Sequence, residues 1–372
     1  MQGYYQRRRT AMTVNKIVVT GGPCAGKTTG MSWIQNAFTQ RGYKVIFVGE
    51  TATELITAGV KAGASVSPAD YQRCQVRLQL EKEKVFEQAA QYMDAEKVLI
   101  VYDRGTLDGK AFTTKEEFDD VMKDLGTNEI ELRDHYDAVF HLVTAAKGAR
   151  EFYTTANNTA RSETPEQAAA VDDRLIAAWT GHPHLRIIDN KKGFEEKMKH
   201  LISEITAFLG EPVPYEIERK FLIAYPDLQA LASLPNCEKV EIIQTYLTAP
   251  EGEEIRIRQR GLNGNYIYYE TRKRAVSGMK RVEIERRLSK DEYLELLMRA
   301  DPTRRPIRKD RYCLMDGNQY FEIDVYPFWN DKAILEIELS DPNEEIRFPK
   351  GLEILQEVTD DPAYKNASLA KI

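Results

Sequence analysis

The sequence predicts two domains of different class, an α/β domain with a parallel sheet followed by an α+β domain built on antiparallel strands. Three observations predict it. Between residues 16 and 209, short β-branched runs alternate with longer polar-apolar stretches, the signature of a parallel sheet wrapped by helices. Beyond 215 the pattern switches to period two, in which alternate side chains share one face of a strand. The 372 residues, 42% hydrophobic, exceed one typical core and supply enough apolar side chains for two.

In the first domain, strands are expected near 16–20, 44–48, 97–102, 138–143 and 185–188. Ser67-Pro68 reads as the cap and first turn of a long, highly charged helix running to about 94. Lys147 to Arg161, rich in Gly, Asn, Thr and Arg, reads as a lid, and Gly210-Glu211-Pro212-Val213-Pro214 stops the preceding helix. The expected division is a flexible N-terminus at 1–15, a first domain at 16–209, a linker at 210–215 and a second domain at 216–372. Strands of the second domain are expected near 216–223, 239–248, 253–260, 265–274, 279–287, 306–315, 318–326 and 333–339. Helices near 226–233 and 289–299 interrupt them, Asn263-Gly264-Asn265 and Asp316-Gly317-Asn318 supply hairpin turns, and the whole reads as a meander.

Composition narrows the function. A formal net charge of −6 argues against wholesale nucleic-acid binding, so no DNA partner is expected. Cys24, Cys74, Cys237 and Cys313 show no CxxC spacing, and the five histidines form no HExxH pair, so neither zinc nor a disulfide framework is indicated. No apolar run approaches the ~20 residues of a membrane span, and Arg7-Arg8-Arg9 has no hydrophobic segment behind it. The reading is a cytoplasmic protein, with its oligomeric state left open.

Gly21-Gly22-Pro23-Cys24-Ala25-Gly26-Lys27-Thr28, followed by Thr29, lies between the run Ile17-Val18-Val19 and a helical stretch. Such a loop turns backbone N–H groups onto phosphate oxygens, with Lys27 reaching the outer phosphates and Thr28 placed for magnesium. Asp103 ends the third strand at the same sheet edge and is a candidate magnesium ligand, with a turn-forming role as the alternative. Glu50 ends the second strand and is a candidate base or metal-positioning group, or equally a helix cap. Arg150 and Arg161 are candidate stabilisers of a transferring phosphoryl group, against the alternative of solvated surface.

The second domain carries charge where a core strand would be apolar. Glu216, Glu218 and Lys220 share a strand face, and the alternation recurs at Arg256 and Arg258, Lys273, Glu283 and Glu285, Lys309 and Arg311, Glu322 and Asp324, Glu336 and Glu338. This suits a closed antiparallel barrel whose acids hold divalent metals and whose bases hold a polyphosphate. The alternative is an exposed sheet face laced with cross-strand ion pairs.

On GGPCAGKTT, VGETATELI, YDRG, EFYTTANNTARSET and RIIDN, residues 16–209 resemble the P-loop nucleoside-kinase group, in particular the ATPase-like family related to the ribosylnicotinamide kinase domain. The resemblance implies ATP or GTP as bound nucleotide, with Lys27, Thr28 and Asp103 in the usual places. On EIERKF, QTYL, RIRQR, TRK, RVEIERRL, IRKDRY, FEIDVY and LEIEL, the chain from 215 resembles the CYTH family, the triphosphate tunnel metalloenzymes. That resemblance implies an eight-stranded antiparallel β tunnel. It would place phosphates on Lys220, Arg256, Arg258, Lys273, Arg281, Lys309 and Arg311. Glu216, Glu218, Glu285, Asp324, Glu336 and Glu338 would take one or two Mg2+ or Mn2+ ions, with Glu216 and Glu218 catalytic. The family includes inorganic, RNA and thiamine triphosphatases and class IV adenylate cyclases.

The leading expectation is a nucleotide-binding kinase-like or NTPase domain joined to a metal-dependent triphosphate hydrolase. The other is a nucleotide-regulated binding protein whose tunnel senses a polyanion such as an inositol phosphate or phosphoinositide head group.

Overall fold

The computed structural model describes residues 12–149, 164–191, 193–210, 217–277, 280–339 and 344–371. The chain divides into two compact units. One runs up to Thr127 and takes in His135–Trp179 and His184–Leu209; the other joins Gly210–Ile372 with the short segments Asn128–Asp134 and Thr180–Pro183. No helix among the described residues is long and apolar enough to cross a membrane.

Up to residue 209 the elements are β1 (Thr13–Gly21), α1 (Lys27–Gln40), β2 (Lys44–Val48), α2 (Thr51–Thr57), α3 (Pro68–Gln91), β3 (Lys97–Asp103), α4 (Lys115–Leu125), α5 (Glu129–Arg133), β4 (Ala138–Leu142), α6 (Pro165–Trp179), β5 (Leu185–Ile188) and α7 (Phe194–Phe208). The five strands pair in parallel in the order β2-β3-β1-β4-β5. Ile17-Val18-Val19 of β1 and Val98-Leu99-Ile100-Val101 of β3 read as unbroken apolar runs because helices cover both faces of a parallel sheet. Ile17, Val19, Leu99 and Val101 accordingly pack with Phe38 of α1 and Leu201 of α7 in one buried cluster. The expected start of α3 is present: Ser67 Oγ accepts the Asp70 N–H at 3.1 Å, and Pro68 fills the first turn.

The rest of the chain forms β6 (Ile217–Ala224), α8 (Leu228–Ala232), β7 (Cys237–Leu247), β8 (Glu253–Leu262), β9 (Asn265–Ser277), β10 (Lys280–Leu288), α9 (Lys290–Leu297), β11 (Ile307–Asp316), β12 (Gln319–Val325), β13 (Lys332–Leu339), β14 (Ile354–Glu357) and α10 (Asn366–Leu369). Asn263 (φ 51°) and Gly264 (φ 89°) are both left-handed, so Leu262 and Asn265 close a two-residue hairpin between β8 and β9.

The sheet departs from the expected eight-stranded meander in two ways. Among the described residues it has nine strands in the order β10-β9-β8-β7-β11-β12-β13-β6-β14, all paired antiparallel. It is also two meanders spliced together, since β11 pairs with β7 rather than β10, and β6 pairs with β13 rather than β7. The physical reason for the first splice is α9. Its Tyr293 packs on Leu247, Ile255, Ile257 and Leu288 and carries the chain back across β7–β10. On β6, β11, β12 and β13 the face turned away from Lys220 and Arg311 buries Phe221, Ile223, Leu314, Phe321, Ile323 and Leu335 together with Leu231 of α8. That apolar layer leaves the opposite face free to carry charge.

Candidate phosphate sites

The first site lies at the carboxyl edge of the parallel sheet, where β1 ends in the glycine loop, β3 ends at Asp103 and β2 runs into Glu50. Cys24 (φ 57°) and Gly26 (φ 90°) make left-handed turns that bend the loop into α1. A Cβ at Gly22 would lie 2.8 Å from Asp172 Oδ1, so only glycine lets the loop approach α6 so closely. Lys27 is buried, and its ammonium stands 3.8 Å from Asp103 Oδ1. Burial and the nearby Arg104 guanidinium push the Lys27 pKa down, while Asp103 and Glu50 pull against them. Burial pushes Asp103 up, and its Oδ1 is buried with no hydrogen-bond partner among the described residues. Thr28 and Thr29 are exposed at the start of α1.

Glu50 is the N-cap of α2, but its side chain does not cap the helix. It accepts Arg104 Nε at 2.6 Å and Thr53 Oγ1 at 2.9 Å. Burial disfavours its charge, yet Arg104 and Lys27 outweigh that and hold it down at about 2. A carboxylate this acidic is a poor proton acceptor and a good anchor for a cation. Arg104 carried no sequence expectation of its own beyond its place in YDRG. Its backbone is left-handed (φ 71°), and the turn aims it between Glu50 and Asp108, with Nη1 3.8 Å from the latter. Asp108 is itself fixed by Thr20 Oγ1 at 2.7 Å and Trp179 Nε1 at 2.8 Å.

The loop is also held from behind. Asp172 of α6 accepts the Gly22 N–H at 2.9 Å and the Thr144 N–H at 3.1 Å, pairs with His141 at 3.0 Å and takes the Lys147 ammonium at 3.0 Å. Gly22 therefore turns its N–H inward, unlike the outward N–H groups expected of the loop. No sequence motif marks Asp172, which looks like any polar residue of an amphipathic helix. Arg150 and Arg161 lie outside the described residues.

The second site is the charged face of the nine-stranded sheet. Register confirms the alternation: Lys220 is opposite Glu336, Glu218 opposite Glu338, Glu322 opposite Glu336, and Arg311 opposite Asp324. Across the splice the same face runs through β7 to Arg256 and Arg258, paired with Tyr246 and Gln244, and on to β9 and β10, where Thr271 faces Glu285. Thr271 Oγ1 donates to Glu285 at 2.9 Å, and Lys273 is carried on the same β9 face. Arg281 is described only in its backbone, on β10, and Glu216 lies outside the described residues.

Along this face several bases hold acids. Arg311 grips the fully buried Asp324 with two bonds of 2.7 Å and reaches Glu336 Oε2 at 2.8 Å. Lys309 also bonds Asp324, Arg311 also bonds Glu322, and Lys220 bonds both Glu336 and, at 3.2 Å, Glu218. Asp324 and Glu336, expected as metal ligands, are thus engaged by protein cations. Arg258 differs: its Nε is buried with no hydrogen-bond partner among the described residues. Burial and the neighbouring Arg256 push its pKa down. Glu218 is raised to about 7, by burial first and then by the Glu336 carboxylate. Among the described residues no group of three or more His, Cys, Asp or Glu side chains stands ready to hold a metal ion.

Fold and motifs together define the class: a P-loop NTPase-like domain followed by a CYTH domain. The family models agree, with an AAA domain matching residues 16–197 and a CYTH domain matching 214–364. Among curated proteins none matches the chain. Similar solved structures include the inorganic triphosphatase NE1496, 29% identical over 42% of this chain and 95% of that one, with a TM-score of 0.30. A putative adenylyl cyclase from Hippeastrum, described as having dominant triphosphatase activity, is 15% identical over 34% of this chain and 81% of its own, with a TM-score of 0.24. The thymidylate kinase of Ehrlichia chaffeensis is 14% identical over 53% of this chain and 98% of its own, with a TM-score of 0.36.

Proposed function

We propose that this chain is a two-domain phosphoryl-handling enzyme. Its first domain binds ATP or GTP with magnesium, and its CYTH domain hydrolyses a triphosphate (inorganic, nucleoside or thiamine) with Mg2+ or Mn2+. The observation that carries the second half is Arg258. A buried guanidinium N–H without a partner is a costly group unless an oxyanion accepts from it.

In this reading Arg258, Arg256 and Lys273 grip phosphate oxygens, while Lys220, Lys309 and Arg311 divide their bonds between phosphate and the acids they already hold. Glu218 and Glu338, together with Glu216 as the sequence expects, would hold the divalent cation. The donor chemistry fits, because hard cations take carboxylate oxygens, and Glu218, raised by burial first and by the Glu336 carboxylate second, carries a charge that a cation would stabilise. A cation bound there supplies charge neutralisation and an activated water. In the first domain the exposed Thr28 and Asp103, whose Oδ1 makes no hydrogen bond among the described residues and stands 3.8 Å from the Lys27 ammonium, fit magnesium in the same way.

One observation favours the other reading, a polyanion sensor: Asp324 and Glu336 are already neutralised by Lys309, Arg311 and Lys220. Phosphate release from tripolyphosphate, ATP, GTP and thiamine triphosphate, with each metal, tests the two. Hydrolysis by the wild type, with turnover in Glu218→Gln collapsing further than tripolyphosphate binding, supports the enzyme. Wild-type inactivity across the panel, together with tighter anion binding by Glu218→Gln, supports the sensor.

A further inference from the structure

Lys197 of α7 lies beneath the glycine loop and is not part of any site expected from sequence. Its side chain is 3% exposed, and its ammonium donates to three acceptors: Ala25 O at 2.9 Å, Val143 O at 2.6 Å and Asn190 Oδ1 at 2.9 Å. An ammonium has three N–H bonds, and this geometry uses all of them.

The bond to Ala25 O has a consequence on the other side of the peptide. A trans peptide is planar, with its C=O and N–H pointing in opposite directions. A carbonyl of Ala25 fixed toward α7 therefore turns the Gly26 N–H to the opposite side of the loop. Thr144 Oγ1 does the same at the neighbouring turn by bonding Pro23 O, which turns the Cys24 N–H outward. Cys24 O is held in turn by the Ala145 N–H at 3.3 Å. The carbonyls of Pro23, Cys24 and Ala25 are thus drawn toward the segment that follows β4 and toward α7, and Lys197 supplies a full positive charge on that side.

We infer that Lys197 is a positioning residue for nucleotide binding: its protonated ammonium sets the Ala25–Gly26 peptide so that the glycine loop can receive phosphate. The inference rests on the reading that the loop binds ATP or GTP. The geometry also makes the device sensitive to pH. Burial pushes Lys197 down to about 8, against the opposing carboxylates of Asp172 and Asp189. Asp172 is shared with His141 and Lys147, and on α7 itself Glu196 and Lys199 pair with each other. Above that pH the amine has only two N–H bonds for three acceptors, and the charge behind the loop is gone. Affinity for nucleotide should fall as pH rises through about 8, and binding should take up protons in that range, because a phosphate near the loop favours the charged ammonium.

The test uses the full chain, wild type, Lys197→Met and Asn190→Ala. Calorimetric titration with magnesium and ATP or GTP, in buffers of different ionisation enthalpy from pH 6.5 to 9.5, reads affinity and proton uptake. Hydrogen exchange at the amides of residues 24–30 reads the loop without any nucleotide. The expected result for Lys197→Met is a roughly ten- to hundredfold loss of affinity at neutral pH, no inflection near pH 8, and faster exchange confined to the loop. Asn190→Ala, which removes one acceptor, should keep the inflection but move it to lower pH. An unchanged affinity and unchanged loop exchange in Lys197→Met would overturn the inference, as would an inflection that persists in that variant. If the wild type binds neither nucleotide, the nucleotide reading falls on its own, and loop exchange still decides whether Lys197 positions the peptide.

Discussion

Glu338 of β13 stands directly opposite Glu218 of β6 in the antiparallel register, so two carboxylates share one cross-strand position on the charged face. Like charges so placed repel unless a proton or a cation intervenes.

That relationship gives a pH dependence with a definite sign. Glu218 is raised from 4.5 to about 7, by burial and then by Glu336 and Glu338. A raised acid contributes stability that is complete below its ordinary pKa and is lost as pH rises through the folded value. Stability of the metal-free protein should therefore fall between pH 4.5 and about 7, and Glu218→Gln should flatten that limb in urea titrations. Manganese affinity should move oppositely, rising from pH 6 to 8 as the proton leaves. A calorimetric Mn2+ titration that gives one affinity across this range would remove Glu218 from the ligand set.

Two arginines on one face should behave differently when truncated. Arg258→Ala removes a buried donor with no partner, so tripolyphosphate affinity should drop by about 2–5 kcal/mol while fold stability holds or improves. Arg311→Ala leaves Asp324 and Glu336 short of their strongest partner and should destabilise the fold by about 3–5 kcal/mol. Denaturation midpoints alongside tripolyphosphate titrations separate the two, and a fully stable Arg311→Ala would contradict the pairing seen here.

Lys27→Ala should abolish tight binding of ATP and GTP while leaving tripolyphosphate hydrolysis intact, because the two sites belong to separate compact units. Nucleotide titration and phosphate release on the same preparation check both halves. Undiminished nucleotide affinity would sink the assignment of the loop.

Glu50 should not act as the proton acceptor of the first domain. Held at about 2 by Arg104 and Lys27 against its burial, it contributes stability that is present above 4.5 and lost as pH falls toward about 2. Glu50→Gln should weaken nucleotide binding by loosening Arg104, yet leave the shape of any pH–rate profile between 5 and 8 unchanged. Loss of an ascending limb in that range would restore the base role.

The strands were readable because their signals are local: β-branched runs for the parallel sheet, alternation for the antiparallel one, Asn263-Gly264 for a hairpin. β14 was not, since Ile354-Leu355-Gln356-Glu357 is short and lacks alternation, and its pairing with β6 is decided by distant residues. The face on which Glu218, Lys220, Arg256 and Arg311 lie was legible from period two alone. Which acid meets which base was not, because that depends on β11 lying beside β7 and β6 beside β13, a strand order set by tertiary packing. Asp172 and Lys197 escaped for the same reason: a buried polar residue on a helix differs from a solvated one only in what packs over it.

The short strand β14 has a further effect on how this protein can be cut. It covers the outer side of β6, and just beyond it Thr359 Oγ1 accepts the Lys220 N–H at 3.1 Å while the Val358 N–H donates to Lys220 O at 2.8 Å. A fragment ending before residue 354 would strip those partners and turn the strand that bears Glu218 and Lys220 into a raw sheet margin, open to pairing with any passing chain. Expression boundaries for the second unit are therefore set by a four-residue strand outside the charged repeats. A truncation that keeps every charged residue of this sheet face would still expose the backbone beside them to self-association.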